Sequence, residues 1–513
     1  SSGNALEFVN NPNTDTNTTY GISVEDGDNT SEEKIRLTGT NPSSTDDVVI
    51  GVSTGLTIAK DFEKIILSHT GSAGPGFVNI EDFGAIQSST NVTSAVGTAN
   101  VNAINNAIAA LGTLGGTVFI PGGTYFINAA ISLGNSHNGI RFVGAGQLNY
   151  GGNTDVGGAV LKMNSGVGTF FNIENSRAIH FEGITFKGGN SNGGNSGLSG
   201  GTYGAINVLG NAGCQGHVYE NLVFHGIKNC VGIRGLSDSI IRNCKFRNVP
   251  MNAGEGQLIK LNSQVSATNG ERTDQIRIEN CVMDGFVGSG TTANSQVDGL
   301  FIENDVHTVF VTNTSFIRCR RGVNVGVGWT GNFLYFQNVE AERAIKEGFL
   351  IGGTGNFVTM DNIFSSTNES HGVHITSDEN SSVNMTNPNI RDNVGHGILM
   401  DGTSNNLSVV NPAIGGNSRG SSGTNHGIAI GSNSNNVYIA GGKIGGDTDD
   451  LSGTGTQGRG ININGSTHSN IRIIGTNVTG NVTNASEGIG QNITGGTGNK
   501  VQFNSGSSVS LNT

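Results

Sequence analysis

Seven times along the chain, the residue just before a recurrent glycine is ionisable: Asp298, Arg321, Glu347, His371, His396, His426 and Arg459. Only 13% of the chain is Asp, Glu, Lys or Arg, so composition alone does not produce such a column. Two members, Asp298 and Glu347, are carboxylates. If each glycine opens one rung of a coiled sheet, these two lie two rungs apart, roughly 9.6 Å along the axis at the usual interstrand spacing. Carboxylates about 6.5–9.5 Å apart suit inverting glycoside hydrolysis, with room for a water between them. Glu340 and Glu342 precede Glu347 and offer closer partners. Arg318, Arg320 and Arg321 supply cations that can hold a uronate, or serve an elimination in which a base removes the proton beside a carboxylate. His371, His396 and His426 belong to the residue type that exchanges protons near neutral pH. Trp329, the single tryptophan, stands close in sequence to Phe333 and Tyr335 and offers a ring on which a sugar can stack.

The bland reading of the column is a row of solvated edge positions. Strict alternation along a strand places Asp298 on the same side as Leu300, an inward residue. A turn or bulge at Gly299 is needed to send Asp298 outward.

The elements that must hold this column come from a repeat. The glycines are Gly299, Gly322, Gly348, Gly372, Gly397, Gly427 and Gly460, spaced 23, 26, 24, 25, 30 and 33 residues apart. Each opens a Gly-apolar-x-apolar strand: Leu300/Ile302, Val323/Val325, Phe349/Ile351, Val373/Ile375, Ile398/Met400, Ile428/Ile430 and Ile461/Ile463. A second strand follows, as at Val309/Val311, Val383/Met385 and Val437/Ile439. A third is marked by Phe316, Ile363, Ile390, Ile414 and Ile444. Asn313, Asn338, Asn362, Asn387 and Asn411 close the second strand at spacings of 25, 24, 25 and 24, as stacked amides of a ladder would. Three strands per turn of about 24 residues predict an all-β solenoid, a right-handed parallel β-helix. The loops before Gly299 (286–297), Gly427 and Gly460 are long and those between are short. That pattern predicts a walled groove, and rigid scaffolds commonly carry function on such loops.

Upstream, Val101, Ile104, Ile108 and Leu111 share one helical face and Gly112 ends the run. An amphipathic helix here caps the open solenoid end. Residues 1–75 form a separate small β-rich module, with strands near Ile35, Val48, Leu56 and Ile65. Residues 76–130 form the cap and entry strands, and 131–513 the solenoid.

The 513 residues carry a net charge of -12, which gives no electrostatic reason to bind nucleic acid or an anionic membrane. No apolar run is long enough to span a bilayer as a helix. The five cysteines make no CxxC pair and read as small buried residues. Asp447, Asp449 and Asp450 read as a turn cluster rather than a calcium site. No metal or other cofactor is expected, since no phosphate loop, zinc spacing or Ser-His-Asp signature occurs.

Asp82-Phe83-Gly84-Ala85, the helix, and Gly115-Gly116-Thr117-Val118-Phe119-Ile120-Pro121-Gly122-Gly123-Thr124-Tyr125 resemble the pectate-lyase-like β-helix superfamily, which includes many phage tailspikes. The acidic stretch usual between the first motif and the helix is absent here. The resemblance implies a polysaccharide partner (capsule, lipopolysaccharide or an algal-type glycan) and a depolymerase acting by hydrolysis or elimination. In residues 1–75, Glu33-Lys34-Ile35-Arg36-Leu37 and Gly55-Leu56-Thr57-Ile58-Ala59-Lys60 resemble a short β module of phage tail fibres, which implies a homotrimer and a place on a virion tail or outside the cell, with this module as the attachment. The alternatives are a non-catalytic glycan-binding fibre and a secreted pectinase or epimerase. Val297-Asp298-Gly299 and Gly395-His396-Gly397 resemble polygalacturonase motifs, but Arg320-Arg321-Gly322 stands where that family places paired aspartates.

Overall fold

A computed structural model gives the architecture. It describes residues 76–88, 93–146, 158–163, 169–188, 204–247, 255–263, 272–285, 296–376, 381–402, 406–419, 423–431, 434–445, 457–463 and 470–478, five strands between 20 and 69, and short pieces at 481, 489–490 and 500–502. The chain divides into two compact units, Ser1–Gly76 and Phe77–Thr513. In the first, Tyr20–Asp26, Glu32–Gly39 and Thr45–Gly51 form an antiparallel sheet. Leu56–Asp61 pairs antiparallel with Lys64–His69.

The second unit is a parallel β-helix. Its first and second strands are joined in one parallel sheet, because Ile206–Gln215 and Val231–Arg242 run on from one column into the next. The third strands form a separate sheet, from Gly123–Ile127 at one end to Lys443–Ile444 at the other. First strands stack in register: Leu300 on Val323, Val323 on Phe349, Phe349 on Val373, Val373 on Ile398 and Ile398 on Ile428. The flanking residues of each three-residue strand are buried, so the central residue faces outward. That outward column reads Phe301, Asn324, Leu350, His374, Leu399, Ala429 and Asn462.

The recurrent glycine sits at the corner before the first strand because that corner is already filled. A buried amide ladder runs through it: Asn368 donates to Asn393 at 2.8 Å, Asn393 to Asn417 at 2.9 Å, and Gln457 to Asn481 at 2.8 Å. A Cβ on Gly348, Gly372, Gly397 or Gly427 would stand 2.7–2.9 Å from the side-chain nitrogen of Asn368, Asn393, Asn417 or Gln457. No real Cβ tolerates that. The ladder leaves its members hydrogen-bonded inside an apolar core, where an unpaired amide would cost several kcal/mol.

The predicted asparagine column has a second cause besides its amides. Asn313, Asn338, Asn362, Asn387 and Asn411 all have φ between 49° and 54°, the left-handed region that asparagine tolerates better than most residues. Their amides do form a ladder, with Asn338 donating to Asn313 at 3.0 Å and Asn362 to Asn338 at 2.6 Å. A second left-handed column follows the third strand: Arg318, Arg343, Thr367, Asp392 and Gly416. Thr367 fits poorly, being β-branched at φ 53° with its hydroxyl buried and unbonded. Thr367→Asn should therefore raise stability by about 1 kcal/mol, read as a higher thermal unfolding midpoint.

The capping helix spans Ser94–Leu111, beginning seven residues before the first residue of the apolar stripe. Asn128 supplies the reason: its amide donates to Ser94 O at 3.0 Å and to Thr98 Oγ1 at 2.7 Å. It sits over Gly97, where a Cβ would come within 2.8 Å. The helix packs on the first rung, burying Val101, Ile104, Ile108 and Leu111. Asp82 and Phe83 end a short 3-10 turn, and Gly84 leaves it at φ 90°.

All five cysteines are reduced and buried. In the third column, Ile363 lies one residue before its strand, and Ser365 takes the inward place. Among the described residues no helix is long and apolar enough to cross a membrane.

Candidate functional site

The ionisable column divides into two groups. Asp298 lies within a strand, Val297–Ile302, and has no accessible surface. Arg320 grips it with two hydrogen bonds, Nε to Oδ1 at 2.8 Å and Nη2 to Oδ2 at 2.7 Å, and Asn324 adds a third at 2.7 Å. Arg320 also pairs with Glu255. A carboxylate bonded three times and shut from solvent cannot reach a glycosidic bond, which removes Asp298 from the paired-carboxylate arrangement. The same contacts take Arg320 out of the substrate-binding set. Trp329 is likewise fully buried, donating from Nε1 to Val306 O at 2.9 Å. Gly355 of the next rung makes room for its ring, so it is core and not a sugar platform. Phe310 and Tyr335 stack on each other at 4.9 Å, as do Phe333 and Phe357 at 5.3 Å.

Glu340 and Glu342 stand on a third strand, in the other sheet from the first strands. Ser315 donates to Glu340 at 2.7 Å and Ser366 to Glu342 at 3.2 Å. They do not join Glu347. Arg318 pairs with Asp284, its Nε 3.0 Å from Oδ1.

The rest of the column lies in the turns before the first strands, and there the structure brings a cluster together. Arg321 donates from Nε to Glu347 Oε2 at 2.7 Å. His374, the outward residue of Val373–Ile375, places Nδ1 3.7 Å from Glu347 Oε1, an ion-pair contact longer than a hydrogen bond. Its Nε2 lies 3.1 Å from Asp401 Oδ1. The side chains of Glu347 and His374 are 12% and 16% exposed, whereas that of Asp401 is 50% exposed. The imidazole thus stands between two carboxylates, one nearly buried and one accessible.

Burial favours the protonated form of Glu347, but His374 and Arg321 outweigh it and hold the carboxyl down at about 2. Glu347 is therefore a fixed anion at neutral pH and cannot donate a proton. Burial opposes charge on His374, yet Glu347 and Asp401 outweigh that too, so its pKa stands above the ordinary 6.5. A proton carrier thus sits between one locked and one accessible carboxylate. His374 and Asp401 escaped the sequence reading, although the outward position in Val373-His374-Ile375 was a signal available for the first.

Beyond this cluster runs a histidine ladder. His371 and His396 stack with centroids 5.2 Å apart, His396 and His426 at 5.3 Å. In each, Nδ1 accepts from the next rung's backbone: His396 N at 2.9 Å, His426 N at 2.8 Å and Arg459 N at 3.3 Å. That fixes the neutral tautomer with its proton on Nε2. Gly395 leaves space for His371, since a Cβ there would strike its Nδ1 and Cε1. Burial and then neighbouring charge push all three down to about 4. Between pH 6.5 and 4 the unfolded chain therefore binds more protons than the folded one. The ladder's contribution should be full above about pH 6.5 and fall as pH drops through that window. His374 has the opposite sign, stabilising below 6.5 and losing its contribution as pH rises through its higher folded value. Thermal midpoints measured from pH 7 to pH 4 should show the fall, and His396→Asn should reduce its slope.

Among the described residues one set brings three potential metal ligands together, His180, Glu182 and Glu220, within 4.8 Å of one another. Arg141 and Arg242 already pair with the two carboxylates. The expected groove walls, at residues 286–295, 420–422 and 446–456, and Asp447, Asp449 and Asp450 lie outside the described residues.

No protein-family model and no curated protein sequence matches the chain. Among solved structures, it is similar to the A-module of an Azotobacter vinelandii mannuronan C-5 epimerase, at 14% identity and a TM-score of 0.39, covering 79% of this chain and 96% of that one. It is similar to the catalytic unit of a GH87 α-1,3-glucanase from Streptomyces thermodiastaticus, at 12% identity and a TM-score of 0.42, covering 96% and 86%. It is also similar to a Streptococcus pneumoniae surface protein and adhesin, at 12% identity and a TM-score of 0.37, covering 84% and 98%.

Proposed function

We propose that this chain cleaves a polysaccharide by acid–base chemistry centred on His374. The observation that carries the reading is the placement of His374 on the outer face between Glu347 and Asp401, with its proton affinity raised. Glu347, itself held by Arg321, steadies the imidazole and balances its charge. His374 donates its Nε2 proton to the glycosidic oxygen as the C–O bond breaks, and the exposed Asp401 beside it takes a proton, from the attacking water in hydrolysis or from the carbon next to the uronate carboxylate in elimination. The face is linear and runs from rung to rung, which suits an extended chain better than a compact small molecule. Hydrolysis and β-elimination both use such a pair, and the products separate them.

The resemblance to tailspikes supports a setting outside the cell or on a virion tail, as a homotrimer, with residues 1–75 as the attachment module.

The experiment is incubation of the full chain with capsule, lipopolysaccharide and algal polysaccharide preparations. New reducing ends indicate hydrolysis and new ultraviolet absorbance from an unsaturated uronate indicates elimination. A glycan that binds and stays intact sinks the enzyme reading and leaves a binding fibre.

A further inference from the structure

The histidine ladder has a consequence for which glycan fits. Each Nδ1 is consumed by a backbone N–H one rung on, so each ring must present Nε2–H as a donor. No described residue accepts from any of the three Nε2 atoms, and none of them is a buried orphan. The rings follow one another at 5.2 and 5.3 Å, so the donors form a row parallel to the solenoid axis. His371 also stands beside His374, ring centroids 5.1 Å apart, so the row leads away from the proton carrier.

We infer that His371, His396 and His426 form a comb of neutral donors that takes one sugar per rung of an extended glycan linked equatorially at both ring positions. The inference rests on the glycan reading above and adds the class of chain. In such a chain each pyranose advances by about one rung, so register is kept over three donors. Each residue carries oxygens on both edges, so the flip between successive residues does not break the match. An axially linked chain coils with a shorter advance and loses register by the third donor. A 1,6-linked chain has no fixed advance. Because the rings are held uncharged at neutral pH, attraction to the comb comes from hydrogen bonds and not from net charge.

The test measures binding by calorimetry, using the full chain in a His374→Ala background so that oligosaccharides stay intact. The probes are cellohexaose and β-1,4-linked hexamannuronate, both equatorially linked, against maltohexaose and isomaltohexaose. At least one equatorially linked hexamer should bind, with little change between low and high salt, and the other two should not. His396→Asn keeps an acceptor for the backbone N–H of His426 and removes the outer donor. It should weaken binding about five-fold, the usual worth of one hydrogen bond, with an unchanged thermal midpoint at neutral pH. Equal binding of axial and equatorial hexamers, binding untouched by His396→Asn, or no binding by any hexamer overturns the comb. Cleavage of some glycan that ignores His396→Asn overturns the comb and leaves the His374 reading standing. Comb-dependent binding with no cleavage by the wild-type chain does the reverse.

Discussion

Replacing His374 by alanine should lower glycan cleavage by about 10²- to 10⁴-fold, the range expected when a positioned proton carrier is removed. The loss should fall on turnover, because His374 contributes one of several groups along the face and little of the binding. Its neighbours suggest the controls. Glu347→Gln removes an anion that sustains the His374 charge, so it should keep part of the activity while shifting its pH dependence to lower pH. Asp401→Asn removes the accessible base and should approach the His374→Ala loss. Thermal midpoints should stay close to wild type in Asp401→Asn, since that side chain is half exposed. If His374→Ala turns over glycan at the wild-type rate, the proton-carrier assignment is wrong.

Replacing Asp298 by alanine should destabilise the fold by about 3–5 kcal/mol, the cost of leaving a buried partner charge uncompensated. Arg320, nearly buried itself, would keep only Glu255 as a partner, and Asn324 would lose its acceptor. Asp298→Asn should cost less, since the amide can still accept from Asn324 and Arg320. Protein that remains folded should cleave at the wild-type rate. Chemical denaturation read alongside turnover separates this from a catalytic role: an Asp298→Ala chain as stable as wild type but inactive would restore Asp298 to the active site.

The contrast between these two residues shows where sequence was sufficient. Gly348, Gly372, Gly397 and Gly427 announce the rungs because the amide ladder excludes a Cβ at the same corner in each. Asn313 to Asn411 announce the second turn because a left-handed backbone position recurs there. Periodic constraints print themselves on sequence. Pair geometry does not. Arg320 and Arg321 are adjacent, yet one turns to Asp298 and the other to Glu347, and only the path of the turn decides which. Trp329 offers the same composition to a sugar platform and to a core, and the glycine that admits its ring, Gly355, stands one rung further along. Glu347 was found as a member of the ionisable column. His374 and Asp401 were missed because His374 lies on a first strand, Val373–Ile375, and Asp401 just past the end of the next, Ile398–Met400, both outside that column. Reading outward strand positions beside the turn positions would have recovered His374.

The most direct measurement pairs two titrations on the same protein: the imidazole signals of His374 by NMR, and the rate of glycan cleavage over the same pH range. The expected result is a His374 pKa above 6.5 that coincides with a limb of the rate profile, both moving down together in Glu347→Gln. A rate profile that passes through the His374 titration unchanged, or that shifts in Glu347→Gln while the imidazole does not, contradicts proton transfer by this residue.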